Sequence, residues 1–258
     1  NMTVSGSRIE STVGDVKVLS GSLINDGTTL KPKFGDYGNY QPASKVSLTN
    51  STITAKKDAI VAGSNVTISG KLNSNPTIKA AGNVLVAAGE TVPLGDGDLK
   101  RADKYNTYIE VTGVDIQGKN ITIAGNNDVS ITGESILKAT DSLSVASSDN
   151  VIALANGIPV NLDRSYTEDI TVDDSVLQGT NINLLGGSIT VNNSGNESQT
   201  AIGTSDTQNF QALARSAVNI NGGTVKGKEV LLEGGTVGTG SGAAIIAVGD
   251  TGEVRLLA

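Results

Sequence analysis

Residues Thr49–Gly70 read TNSTITAKKDAIVAGSNVTISG, and the pattern within them decides the fold. Val66 and Ile68 point one way and Thr67 and Ser69 the other, the period-two signature of a strand with one buried side. Similar segments recur on both sides of it: Val46–Leu48, Thr52–Thr54, Ala59–Val61, Asn65–Ile68, Thr77–Lys79 and Asn83–Val86. Three of them occupy ~20 residues, the length of one coil of a repeating β-structure.

Longer passages repeat the same plan. GVDIQGKNITIAG begins at Gly113, DSVLQGTNINLLGG at Asp174 and GGTVKGKEVLLEGG at Gly222, with STITAKKDAIVAG from Ser51 as a looser copy. Each sets a strand pair around a glycine: Gly118, Gly179 or Gly227. The 61 residues from Gly118 to Gly179 correspond to three coils, and the next 48, to Gly227, to two coils and an insertion. Corner glycines supply positive φ where the chain turns sharply. Asn65, Asn83, Asn120, Asn181 and Asn219 stand just before strands, as turn residues or as members of side-chain amide ladders between coils. Neither role is catalytic.

Strands joined by whole coils run parallel. Closing three such sides gives an all-β, right-handed parallel β-helix, a three-faced solenoid. The reading takes residues 1–258 as one continuous unit of a longer protein, with insertions near 25–45, 95–108, 156–169 and 192–216. Some 180 residues outside the insertions make roughly nine coils, a rod on the order of 45 Å long. The framework must hold a thin aliphatic core, because the five Tyr and two Phe all lie in the irregular stretches and Trp is absent. One short helix is expected near 205–216. Ser205 and Gln208 fit a capping box there, and Phe210, Leu213 and Ala217 mark one apolar side.

Composition narrows the function classes. Cys and His are both absent, which removes disulfides, thiolate chemistry and the commonest general base and metal ligand. A net charge of −7 disfavours nucleic acid as a partner. No apolar run reaches the ~20 residues of a membrane-spanning helix. The absence of a leader and of Met at position 1 gives the expectation of an excised internal piece.

AGNVLVAAGETVPL at Ala81–Leu94, GKNITIAG at Gly118–Gly125 and the Thr49–Gly70 stretch resemble filamentous haemagglutinin-like exoproteins, the large adhesins of two-partner secretion systems. The likeness covers most of the chain outside the insertions. It implies an extended β-helix exported unfolded through an outer-membrane partner pore to the bacterial cell surface. There it would serve attachment, biofilm formation or contact-dependent toxin delivery. The Asn-Pro-Asn motifs of such secretion domains are missing, ANGIP at Ala155–Pro159 being the nearest echo. The chain is therefore placed in the shaft or in a binding region.

Within that reading the insertions carry the contact residues, because aromatic rings on a rigid scaffold suit sugar rings and protein anchors. The ligand-binding candidates are Phe34, Tyr37 and Tyr40 in the first insertion, Arg101, Tyr105 and Tyr108 in the second and Tyr166 in the third. The competing reading of each is a loop folded back over the rod. Asp96, Asp98 and Asp103 lack EF-hand spacing and sit among Lys100, Arg101 and Lys104, so no metal or other cofactor is expected. Asp173 and Asp174 could make a carboxylate pair for glycoside cleavage, but neighbouring strand residues point to opposite sides. Six Asn-x-Ser/Thr sequons, at Asn1, Asn50, Asn65, Asn120, Asn192 and Asn196, are candidate glycosylation points. The expected function is non-enzymatic: a monomeric, secreted adhesive segment that meets a host-cell, glycan or matrix receptor. Alternatives are a polysaccharide-degrading or tailspike-like enzyme, or a passive shaft of a contact-dependent inhibition exoprotein.

Overall fold

The computed structural model describes residues 1–20, 22–25, 30–33, 45–63, 65–70, 77–88, 108–125, 127–147, 168–195 and 199–258. Among them every regular element is a β-strand. The strands form three stacks of parallel, in-register neighbours, consistent with a β-solenoid.

The chain visits the stacks in rotation. A first circuit runs through Met2–Ser5, Arg8–Ser11 and Val16–Leu19, and the next through Lys45–Thr49, Thr52–Ala55 and Ala59–Gly63. Asn65–Ser69, Ile78–Ala80 and Val84–Ala88 follow, then Ile109–Thr112, Asp115–Gly118 and Ile121–Gly125. Each strand pairs with its counterpart one circuit away, as in Val66 with Ile109 or Val86 with Ile123. The second stack alone is a nine-stranded sheet that ends at Ala243–Ala247. Two 12-residue strands, Asn181–Asn192 and Asn209–Ile220, run through the handover from third stack to first, with an irregularity between Gly186 and Ser188. Ser22–Asn25 and Leu30–Lys33 form an antiparallel hairpin outside the stacks.

Strand alternation builds the core. Val46, Val66, Ile109, Val129 and Ile170 fill one inward file of the first stack, and Ile53, Ile78, Ile116 and Leu137 fill another in the second. Burial of each such side chain contributes ~1.5–3 kcal/mol. The expected observation that Val66 and Ile68 turn inward and Thr67 and Ser69 outward holds.

Three readings need correction. No helix forms near 205–216; residues 209–220 are a strand. Phe210 and Ala212 lie in register between Ile182 and Leu184 on one side and Val230 and Leu232 on the other, so ladder hydrogen bonds from both neighbours override the local pattern. The supposed single apolar side is split: Phe210 enters the main core, while Leu213 packs on the other side of the sheet with Ala146 and Leu185.

The repeating glycines also have a different cause. Gly118, Gly179 and Gly227 do not adopt the left-handed conformation. Gly118 belongs to a file of small residues closing the second stack, with Ser11, Ala55, Ala80 and Ala139. A Cβ on Gly118 would lie 3.0 Å from Val84 Cγ2, so space is what the site demands. Positive φ occurs at other positions, mostly where the first stack turns into the second, at Gly6, Asn50, Gly113, Gly133 and Asp174, and also after second-stack strands at Gly203 and Gly249.

The spacing from Gly118 to Gly179 spans two circuits and the stretch 148–167, not three coils. The described circuits between them are Val129–Thr132 to Ser142–Ser147 and Asp169–Asp173 onward.

Candidate binding surface

On the outer side of the first stack, polar residues follow one another from circuit to circuit. Ser47, Thr67, Glu110, Ser130, Thr171 and Thr190 are successive register partners. A parallel file holds Thr49, Ser69, Thr112 and Thr132. Ser69 Oγ donates to Thr49 Oγ1 at 3.4 Å, and the hydroxyls of Thr112 and Thr132 bond at 3.1 Å. Short hydroxyl side chains hold these positions because they stack at strand spacing without charge repulsion.

Tyr108 stands at the edge of this surface, where the chain arrives in the first stack. Its backbone is held on both sides of the peptide: its N–H donates to Asn65 Oδ1 at 3.2 Å and its carbonyl accepts from Val66 N at 3.0 Å. Lys45 N–H is held in the same way by Asn1 Oδ1 at 3.0 Å. The Lys45 ammonium lies 5.8 Å from the centroid of the Tyr108 ring, within cation–π range. Both side chains are half-buried. Beside them, Thr67 Oγ1 is shielded from solvent and makes no hydrogen bond, alone among the buried side-chain polar atoms of the described residues. Such a group costs ~1–3 kcal/mol when left unsatisfied.

Of the seven ligand-binding candidates read from the sequence, only Tyr108 lies among the described residues. Phe34, Tyr37, Tyr40, Arg101, Tyr105 and Tyr166 lie outside them, as do Asp96, Asp98 and Asp103. The stretches that carry them nevertheless share one connection. Residues 20–45, 88–108 and 147–168 each join the end of a third-stack strand to the start of a first-stack strand, on alternate circuits. Tyr108 and Lys45 are the residues at which two of these stretches rejoin the solenoid.

Asp173 and Asp174 do not point apart as alternation implies. Asp174 leaves the strand with φ 47°, and both carboxylates converge on one loop. Ser194 Oγ donates to Asp173 Oδ2 at 2.5 Å and lies 3.3 Å from Asp174 Oδ2, while Ser194 N–H and Gly195 N–H donate to Asp173 Oδ1 and Asp174 Oδ1. The pair clasps the loop. Among the described residues no three acidic side chains gather as a metal site, and no helix is long and apolar enough to cross a membrane.

Two polar files are structural. Asn120 Nδ2 donates to Asn83 Oδ1 at 2.9 Å and Asn209 Nδ2 to Asn181 Oδ1 at 2.8 Å, which makes the anticipated amide ladder real at these positions. Asn219, by contrast, lies inside a strand. Sequence reading missed the buried hydroxyls of Ser51, Ser135, Ser175 and Thr200, which line the turn from first stack to second. Ser135 Oγ donates to Thr132 O at 2.7 Å and Ser175 Oγ to Asp173 O at 2.8 Å. The recurrence of Ser after the left-handed corners at Gly6, Asn50, Glu134 and Asp174, though not after Gly113, was the available signal.

No family model matches the chain, and neither a curated protein nor a solved structure does.

Proposed function

We propose that this chain is an adhesive segment of a secreted, filamentous haemagglutinin-like surface exoprotein, wound as a right-handed, three-faced β-helix. The solenoid acts as a stiff spacer, and attachment is made at the edge where its third stack hands over to the first. Export through an outer-membrane partner pore and a monomeric state in solution belong to the same proposal, on the strength of the sequence resemblance. The observation that supports a binding role is the Lys45–Tyr108 pair beside the ordered hydroxyl files. A rigid ring with a polar lattice around it can hold a ligand without conformational cost. Nothing in this role requires turnover.

The test is attachment of the purified chain to epithelial cells and to biofilm matrix. Tyr108→Ala, and separately the paired Tyr37→Ala and Tyr40→Ala changes, should reduce attachment while leaving the circular dichroism spectrum unchanged. Undiminished attachment by both variants would reject the assignment of this edge.

A further inference from the structure

Lysines on the second stack follow a pattern that stacking itself does not require. Thr54, Lys79, Gln117 and Lys138 are successive outward register partners, so two ammonium groups share one file two rungs apart. At the corner between second and third stacks, Gly82 N–H donates to Lys57 O, Lys119 N–H to Gly82 O and Asp141 N–H to Lys119 O. Lys57 and Lys119 therefore make a second file, also two rungs apart and one rung out of step with the first. Along the rod, successive rungs carry Lys57 at the corner, Lys79 on the strand, Lys119 at the corner and Lys138 on the strand. With rungs about 4.8 Å apart, this is a zigzag of one cation per rung, about 9.6 Å between cations on the same side.

All four side chains are exposed. The ion pairs among the described residues are Arg8–Glu10, Lys17–Asp15 and Arg255–Glu253, so none of the four lysines is neutralised by a partner. Two acids on these rungs are engaged by other groups: Asp58 Oδ1 accepts from Asn83 N–H at 2.7 Å, and both oxygens of Asp115 accept from Gln117 Nε2. Acids also bound the strip, with Glu10 before Thr54 in the strand file and Asp141 after Lys119 at the corner. The first stack fills its outward files with hydroxyl side chains, whereas here like charges gather at a cost to stability.

A ligand that matches must be linear and anionic, with charges turned to alternate sides on consecutive units. A 1,4-linked β-uronate chain has this form. It is a flat two-fold ribbon whose rings each advance by roughly the spacing of one rung and point their carboxylates to opposite edges in turn. Duplex nucleic acid, with one charge per about 1.7 Å of axis, is far denser than the strip.

We propose that Lys57, Lys79, Lys119 and Lys138 bind four consecutive rings of a linear polyuronate laid along the second stack, one carboxylate to each ammonium group. Lysine suits the task because its flexible stem carries a point charge to carboxylates at alternating positions. This surface is distinct from the handover edge that bears Tyr108.

The experiment is affinity electrophoresis of the intact chain in native gels containing poly-β-1,4-mannuronate, with neutral galactomannan and with heparin as comparators and a chelator throughout. Polymannuronate should retard the wild type more than heparin does, galactomannan should not retard it, and added salt should weaken the effect. Titration calorimetry with mannuronate oligomers should show affinity rising about tenfold from dimer to tetramer and levelling beyond, as two further exposed ion contacts imply. Lys79→Gln with Lys138→Gln should weaken binding about tenfold, and so should Lys57→Gln with Lys119→Gln. Lys226→Gln with Lys228→Gln removes as much charge outside the strip and should change affinity less than about twofold. Because all these side chains are exposed, the circular dichroism spectrum should be the same in every variant. No retardation by polymannuronate, equal or greater retardation by galactomannan or heparin, or equal losses in the three double variants would overturn the inference.

Discussion

Gly203 gives the sharpest test of how tightly successive circuits approach one another. It lies just after the second-stack strand Ala201–Ile202, with φ +78°, and a Cβ there would sit 1.9 Å from Lys226 O on the next circuit. Gly6 has nearly the same backbone, φ +57°, but nothing within 4 Å of its Cβ position. Replacing Gly6 by Ala therefore costs only the left-handed penalty of about 1–2 kcal/mol. Gly203→Ala adds the overpacking of a backbone contact, about 1–3 kcal/mol more, for a total of roughly 2–5 kcal/mol. Lys226 belongs to the strand Gly223–Gly227, so the displaced backbone is part of the ladder and cannot rotate away as a side chain could. Urea unfolding followed by circular dichroism gives the global cost. Amide exchange near residues 201–203 and 224–227 gives the local one, because a stacked array loses stability close to the lesion first. Equal midpoints for the two alanine variants would refute the close approach of these circuits.

Other expectations follow from the same stacking. Val86→Ala and Ile123→Ala concern direct register partners, so their combined effect should depart from the sum by about 0.5–3 kcal/mol; Ile123→Ala with Val225→Ala should add within about 0.5 kcal/mol. Phe210→Ala should cost ~3–5 kcal/mol, and Phe210→Leu less than about 1.5 kcal/mol, in a denaturant titration, because Phe210 is buried among Ile182, Val230 and their neighbours. Asn120→Asp replaces the amide that donates to Asn83 Oδ1 by a carboxylate facing that oxygen. It should lower the thermal midpoint at neutral pH and recover part of the loss as pH falls through the carboxylate range, where the protonated group donates again.

Much of the solenoid was legible because inward and outward residues alternate with so few exceptions. Val46–Leu48, Asn65–Ile68 and Asn83–Val86 are read from the sequence as strands and overlap Lys45–Thr49, Asn65–Ser69 and Val84–Ala88, with every end placed to within two residues. The helix near 205–216 went wrong because Phe210, Leu213 and Ala217 carry a helical spacing by accident. The sheet uses Phe210 inside and Leu213 outside, and only the neighbouring circuits reveal which. Gly118 and Gly179 looked like turn glycines because sequence shows residue type and not the distance to Val84 or Asp141 on an adjacent circuit.

The candidate surface was legible only in part. Tyr108 drew notice as an aromatic in an irregular stretch, whereas Lys45, Thr67 and Glu110 did not, being ordinary strand residues in sequence. Their juxtaposition depends on register: Thr67 meets Glu110 across 43 positions of chain, a separation that includes the stretch 89–107. No local pattern encodes it. The common attachment of residues 20–45, 88–108 and 147–168 to one handover likewise emerges only once the strands are assigned to stacks.

The in-register parallel stack is the claim on which all else depends, and the absence of native Cys makes it directly measurable with paired spin labels. Ser47, Thr67, Thr190 and Asn219 occupy one outward file of the first stack, at successively later circuits. Pulsed dipolar spectroscopy between labels at Thr67 and Thr190, four rungs apart, should give a backbone separation of about 19 Å, and between Ser47 and Asn219, six rungs apart, about 29 Å. A linear increase with rung number is the predicted result. Distances that fail to grow along the file, or that place Ser47 beside Asn219, would contradict the stack.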